Sequence, residues 1–118
     1  MLPATDNITA YRGDTIRETR LFAIPDTDPV EYFDPTGCTP AAQVRTSATN
    51  DEILYTLDCE LIVGATATDP SGVVMEIEAG ITDAAPSKAV WDYQLTFADG
   101  SIRTFGAGTV KFSGQVTR

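Results

Sequence analysis

Histidine is absent from this chain, and basic residues are scarce. Eight lysines and arginines stand against seventeen acids, which gives a formal net charge of −9 over 118 residues. Without histidine, neither a Ser/His/Asp triad nor a Cys/His pair can be assembled. A few scattered basic residues cannot release the counterions of a nucleic acid or attract an anionic membrane surface. We therefore expect no nucleic-acid and no membrane partner, and an acidity that favours solubility or docking onto a basic protein surface.

Long apolar runs, a signal peptide and a metal-binding cysteine pattern are missing as well. No apolar run approaches the ~18 residues that a membrane helix needs. The first residues, MLPATDN, lack the basic and apolar regions of a signal peptide, which favours a cytoplasmic product or one exported by other means. Two cysteines, Cys38 and Cys59, without any histidine do not suit a zinc site. We interpret them as small buried thiols, with a disulfide as the alternative.

The dominant pattern is a period of two. The clearest case places Trp91, Tyr93, Leu95 and Phe97 on one face of a strand, followed by an Asp99-Gly100 turn and a returning strand. No segment shows a sustained helical period. The sequence predicts an all-β fold in a single domain, residues 1–118. Within that class we favour an antiparallel β-sandwich, immunoglobulin-like in architecture, of about eight or nine short strands.

Two further details of the strands are predicted. The segment Thr15 to Ile24 should form the second strand, and Gly106 and Gly108 should mark a bulge or bend before the last one. In the second strand, the apolar end should be the more buried part: Leu21, Phe22 and Ile24. The mid-strand charges should face solvent or a partner: Arg17, Glu18 and Arg20.

A proline-rich segment, Pro25 to Pro40, carries four of the seven prolines and no strand pattern. A loop of this length is uncommon in a compact domain unless it is functional or lies across a neighbour. Tyr32 and Phe33 either plug one end of the core or are presented outward, and we favour core plugging. The loop also holds Asp26, Asp28, Glu31 and Asp34. We interpret these acids as a solvated surface, with a calcium site as the alternative.

The triplet Arg12-Gly13-Asp14 is known as an integrin ligand, but it is flanked by two candidate strands. Gly allows a chain reversal and Asp can hydrogen-bond its own backbone, so we interpret the triplet as a turn. Nothing else in the chain predicts catalysis. Gly106-Ala107-Gly108 precedes a strand rather than a helix, so it does not suit phosphate binding. We expect a protein that is not an enzyme, with no catalytic residue, no cofactor and no bound metal.

Several segments occur in an order that resembles a known family. They are "ITAYRGDTIRETRLF", "PVEYFDPTG", "AAQVR" and "AVWDYQLTFADGSIRTFGAGTVKFSGQVTR". Together they resemble the N-terminal domain of phage baseplate upper proteins and small free-standing phage proteins of the same type. The matching residues are Gly13, Asp14, Pro29, Asp34, Gly37, Val44, Arg45, Trp91, Asp92, Tyr93, Asp99, Gly100, Gly108, Val116 and Thr117. Family members that bind receptors continue beyond the terminal Val-Thr, whereas this chain stops at Arg118.

The resemblance implies a non-enzymatic structural or docking protein of a tailed phage virion, assembled in the host cytoplasm. We place it in the tail, baseplate or fibre-attachment region, in several copies and with other phage structural proteins as partners. A capsid cement or decoration protein is the alternative, and a cell-surface adhesion or carbohydrate-binding module is a third interpretation. The expected contact elements are Pro25 to Pro40, the arm Met1 to Asn7 and the C-terminal tail. Six residues are predicted to dock on a partner: Arg12, Asp14, Tyr32, Phe33, Asp34 and Arg118.

Overall fold

The computed structural model describes residues 4–47, 49 and 52–114, and within these ranges the chain forms eight strands and no helix. The strands are β1 (Ala4–Thr5), β2 (Ile8–Tyr11), β3 (Ile16–Leu21), β4 (Thr39–Arg45), β5 (Ile53–Ile62), β6 (Gly72–Ile77), β7 (Lys88–Thr96) and β8 (Ile102–Ser113). The predicted all-β fold is confirmed. In the part of the chain described, no helix is present that could cross a bilayer.

The strands form one sheet that nearly closes into a barrel, in the order β1-β8-β7-β4-β5-β6-β3, with β2 also on β8. β5 connects the two layers, because its first half pairs with β4 and its second half pairs with β6. The sheet is mixed rather than purely antiparallel, since both β1 and β2 run parallel to β8. This corrects the antiparallel detail of the prediction. Two parallel neighbours cannot be connected by a tight hairpin. Here almost the whole chain separates β1 and β2 from β8, the strand with which both pair.

The core follows the alternation that the sequence predicts. On β7 every second residue is buried, and β6 contributes a similar inward row. The most deeply buried side chains include Met75, Leu95 and Val110. The Asp99-Gly100 turn is confirmed by the bond from the Phe97 N–H to the Ser101 carbonyl, 2.8 Å long. The predicted bulge is also present, because Tyr93 pairs with Gly106 while Gln94 pairs with Thr104.

The strand predicted as the second one, over Thr15 to Ile24, is β3 in the structure, and the burial of its apolar end departs from the prediction. Phe22 is buried as expected, but Leu21 and Ile24 are 48% and 41% exposed. Leu21 and Phe22 are neighbours, and in extended chain only one of two neighbours can face the core. Phe22 takes that place, and Arg20 shares its side of the strand and is half-buried. The expectation that Arg20 faces solvent or a partner is therefore wrong, while Arg17 is exposed as predicted.

An ion pair closes the barrel seam between β3 and the β1–β2 junction. Arg20 binds Asp6 with two hydrogen bonds, from Nε to Oδ2 at 2.5 Å and from Nη2 to Oδ1 at 2.8 Å. Trp91 donates its indole N–H to the Asp6 carbonyl over 2.7 Å, and the Tyr93 hydroxyl bonds the Asp6 carboxylate. Burial, the nearby Asp6 charge and the Asp6 hydrogen bond raise the pKa of Tyr93 to about 12. The inward-facing arginine thus has a partner that ties the first residues of the fold to the third strand.

Candidate docking site

The loop between β3 and β4 folds back on itself and is well anchored. The Ile24 N–H donates to the Glu31 carbonyl over 2.8 Å, and the Phe33 N–H donates to the Phe22 carbonyl over 2.8 Å. The Tyr32 N–H reaches across to the carbonyl of Ala67, in the connection between β5 and β6. These bonds hold the acidic tip of the loop in one place relative to the sheet.

Of the two aromatic residues in the loop, Phe33 packs against the core. Its ring lies 6.3 Å from Phe22, 5.9 Å from Phe97 and 6.1 Å from Phe105, measured between ring centroids. The expectation that Phe33 plugs one end of the core is confirmed. Tyr32 is also half-buried and lies in an isolated bridge with Ala23. Neither aromatic is presented at the loop tip.

The acids of the loop are exposed. Asp34 shapes the backbone that follows it, because one oxygen accepts from both the N–H and the hydroxyl of Thr36, at 3.0 and 2.6 Å. These bonds lower the pKa of Asp34. Among the residues described, no three acidic or cysteine side chains are arranged to hold a metal ion. The calcium alternative therefore has no ligand cluster there, and the acids form a negatively charged surface.

A groove of about 340 Å³ lies beside this loop, and we call it the loop groove. It is lined by Leu21, Phe22, Ala23, Ile24, Pro25, Phe33, Tyr93, Arg103 and Phe105. Leu21 and Ile24 are exposed apolar residues of this lining, and the Arg103 guanidinium stacks over the Phe105 ring at 4.9 Å. The exposed Asp26 follows the lining residue Pro25 in the chain but does not itself line the groove. The groove is mainly apolar, its one charged lining residue is Arg103, and the exposed acidic loop continues from its lining residue Pro25.

The Arg12-Gly13-Asp14 triplet forms the turn between β2 and β3, as predicted. Gly13 has φ of +83°, a left-handed conformation that favours glycine. The turn is clamped by the connection between β6 and β7: Arg12 Nε donates to the Ala85 carbonyl over 2.6 Å, and the Gly13 N–H donates to the Thr82 hydroxyl over 2.9 Å. An integrin ligand needs a displayed arginine, whereas Arg12 is half-buried against its own domain.

The predicted docking residues do not form one site. Arg12 and Asp14 lie before β3, whereas Tyr32, Phe33 and Asp34 lie beyond its other end. Because β3 has six residues, its two ends are roughly 20 Å apart. Arg118 and the first three residues of the predicted N-terminal arm lie outside the described residues. The later part of the predicted arm belongs to the fold itself, because Thr5 ends β1 and Asp6 pairs with Arg20.

A second groove was not anticipated as a site, although four of its residues, Arg45, Trp91, Asp92 and Gly108, belong to the family-like pattern. It lies on the outer face of the sheet, where β1, β8, β7 and β4 are neighbours, and has a volume of about 470 Å³. We call it the sheet-face groove. Its lining residues are Thr5, Asn7, Gln43, Arg45, Val90, Trp91, Asp92, Ala107, Gly108 and Thr109. In the sequence, the polar residues of this groove are recognisable only as polar members of alternating strands. That pattern by itself indicates an outward side chain and does not identify a site.

The polar groups of the sheet-face groove are incompletely paired. Arg45 Nη2 donates to Gln43 Oε1 over 2.9 Å, but the buried Nε of Arg45 has no partner among the described residues. An unpaired buried donor costs about 1–3 kcal/mol. Burial raises the pKa of Asp92, and the Arg45 charge opposes that shift only in part. Both charged groups are therefore held where folding stability gains little from them.

Asp92→Asn is expected to raise the melting temperature at pH 7. Because folding raises the pKa of Asp92 above its ordinary 3.8, the folded chain binds this proton more readily than the unfolded chain. Stability is therefore lost as pH rises through the interval between the two values, and asparagine removes the loss. The gain should stay below about 1 kcal/mol, because the carboxylate keeps contact with solvent. Thermal melts at pH 7 and in acid would measure it.

In acid the gain should vanish, because the carboxyl is then protonated in both states. The exposed Asp58 provides the matched control, since Asp58→Asn removes the same charge on β5 without relieving a buried group. A lower melting temperature for Asp92→Asn at pH 7 would contradict the assignment.

The two cysteines are free and half-buried. Burial raises the pKa of the Cys59 thiol, so the protonated form is favoured. Both thiols pack against the core cluster. The disulfide alternative therefore does not hold, and the thiols are less deeply buried than predicted.

No protein-family model and no curated protein matches the chain. The likeness to phage baseplate domains therefore rests on the residue pattern alone.

Proposed function

We propose that this chain is a non-enzymatic structural protein of a tailed phage virion that docks on other virion proteins in the tail, baseplate or fibre-attachment region. The observation that carries the proposal is the mainly apolar loop groove, from which an anchored loop with exposed acids continues. The family-like order of turns and strands supplies the virion context. The net charge of −9 would keep free subunits apart before assembly.

The loop groove fits a partner of defined chemistry. Leu21 and Ile24 offer aliphatic surface, which an apolar side chain of the partner would cover. Asp26 and Asp28, both exposed, would face lysine or arginine around that anchor. The loop is held by its own backbone bonds and by Phe33, so little ordering would be needed on binding.

Neutralising the exposed acids of the loop tests the proposal. The double variant Asp26→Asn, Asp28→Asn should reduce incorporation into particles about tenfold or more, because the charges that complement the partner are gone. Asparagine suits position 26, where φ is +62°. The matched control is Asp58→Asn with Glu60→Gln, which removes two exposed charges from β5. Mass spectrometry of purified particles would count the copies of each variant.

Equal incorporation of the loop variant and the control would contradict docking through the loop groove. Absence of the natural chain from purified particles would contradict the virion location itself. The same copy count distinguishes a tail component from the main alternative, a capsid decoration protein. A decoration protein would be present in far more copies.

A further inference from the structure

The sheet-face groove is built differently from the loop groove. Its lining includes Val90, Ala107 and Gly108, and the Asp6 carbonyl of the same chain lies close against Gly108. Thr5 and Asn7 border it on the β1 side, and Gln43 and Arg45 border it on the β4 side. Its volume of about 470 Å³ lies in the range of sites that hold a ligand group, roughly 300–1,000 Å³.

One cation and one anion share this groove without meeting. Arg45 and Asp92 lie on neighbouring strands and influence each other's charge, yet no ion pair joins them in the described chain. They are diagonal neighbours, because Asp92 is in register with Gln43 and Arg45 is in register with Val90. Donors of the guanidinium and acceptors of the carboxylate are therefore presented side by side.

Such a pair selects its ligand by charge. An anionic ligand would be attracted to Arg45 but repelled by Asp92, and a cationic ligand would meet the reverse. A neutral group that carries an acceptor next to a donor suits both, and a carboxamide is the protein side chain of that kind. Gln43 already shows the first half of this recognition, because its amide oxygen accepts from Arg45.

We propose that the sheet-face groove binds a segment of a partner protein through an asparagine or glutamine side chain. The amide oxygen accepts a hydrogen bond from Arg45, and the amide NH₂ donates to Asp92. A sugar is disfavoured, because the one aromatic residue that lines the groove, Trp91, is only 3% exposed and presents no ring face for stacking.

This inference does not rest on the virion location. The sheet-face groove and the loop groove have no lining residue in common, so each can be altered without the other. Partner binding at the sheet face would be detected in the isolated chain, whereas incorporation through the loop requires particles.

Titration of the labelled chain with capped pentapeptides, followed by NMR, tests the proposal. The probes are Ac-Gly-Ala-X-Ala-Gly-NH₂ with glutamine, glutamate or lysine at X. The glutamine peptide should give saturable shifts at Gln43, Arg45 and Asp92, and the two charged peptides should bind at least about fivefold more weakly. Arg45→Gln and Asp92→Asn should each weaken binding of the glutamine peptide about tenfold, because each removes a charged hydrogen-bond partner.

Arg17→Gln is the matched control, since it removes an exposed arginine on β3, and binding should be unchanged. Dispersed amide spectra of the two groove variants would show that they remain folded. Four outcomes overturn the proposal: no saturable shift at the groove, equal binding of all three peptides, binding unaffected by both groove variants, or saturable binding of a methyl glycoside in place of the peptide.

Discussion

Asp6→Ala is expected to lower the free energy of unfolding by about 2–3 kcal/mol, which corresponds to a fall of roughly 10 °C in melting temperature. The substitution leaves the Arg20 guanidinium without its two bonds to the carboxylate, in a site where the arginine side chain is 25% exposed. The loss is somewhat smaller than for a fully buried pair, because water still reaches part of the arginine. Urea unfolding of both proteins would measure the difference.

The exposed pair between Arg17 and Glu76 provides the control. Its side chains are 65% and 34% exposed, so Glu76→Gln should change the free energy of unfolding by less than about 0.5 kcal/mol. Equal effects of Asp6→Ala and Glu76→Gln would contradict the role of the seam ion pair.

The effect of Asp6→Ala should also depend on pH. The hydrogen bond from Arg20 is the main cause that lowers the pKa of Asp6 below its ordinary 3.8. A carboxyl group with a lowered pKa stabilises the fold at pH values above the unfolded pKa, and that stabilisation is lost as pH falls through the folded pKa. The difference between the natural protein and Asp6→Ala should therefore be full at pH 7 and shrink in strong acid. A difference that grows on acidification would contradict this assignment.

Gly108→Ala is expected to be comparably severe, with a loss of about 3 kcal/mol. A Cβ at this position would overlap the carbonyl oxygen of Asp6, which is backbone and cannot rotate away. The β1–β2 junction would have to move off β8, and the Asp6 carbonyl would lose its bond from Trp91. Overpacking against a fixed neighbour costs typically 1–3 kcal/mol before such lost bonds are counted. Thermal and urea unfolding would give the value.

Gly114→Ala is the matched control, because a Cβ there would meet no atom within 4 Å. It should change the free energy of unfolding by no more than about 0.5 kcal/mol. Gly108→Ala and Asp6→Ala act on the same junction, so their combined effect should be smaller than the sum of the two. A neutral Gly108→Ala variant would show that the junction can shift without loss.

Stability and recognition depend on different residues of this protein. The seam residues Asp6 and Arg20 hold the barrel together, whereas Asp26 and Asp28 lie on an exposed loop whose anchoring does not depend on their side chains. Arg45 and Asp92 form a third group, which adds little stability and faces a groove. Variants from the three groups should therefore fail in different assays, and that distinction makes the proposed docking sites testable.

Much of the fold was predictable because alternation is a local signal. The inward rows of β6 and β7, the turn at Asp99-Gly100 and the turn at Gly13 all depend on residues next to one another in the chain. The burial of Leu21 was predicted wrongly, because alternation cannot decide which of two adjacent apolar residues faces the core. Of the candidate sites, the sequence indicated the loop and its acids but missed the groove that holds Arg45 and Asp92.

The amino-acid sequence by itself determined the all-β class, the strand faces, the turns and the acidic surface, because each depends on residue type and on spacing of a few positions. Only the tertiary structure decided that β1 and β2 lie parallel to β8, that Arg20 turns inward to meet Asp6, and that Arg45 and Asp92 face one groove. The residues of β1 and β8 that pair are about a hundred positions apart, and their partnership is selected by how two layers pack together. No local pattern encodes that choice, since a strand of given alternation can pair with any neighbour whose apolar face meets its own.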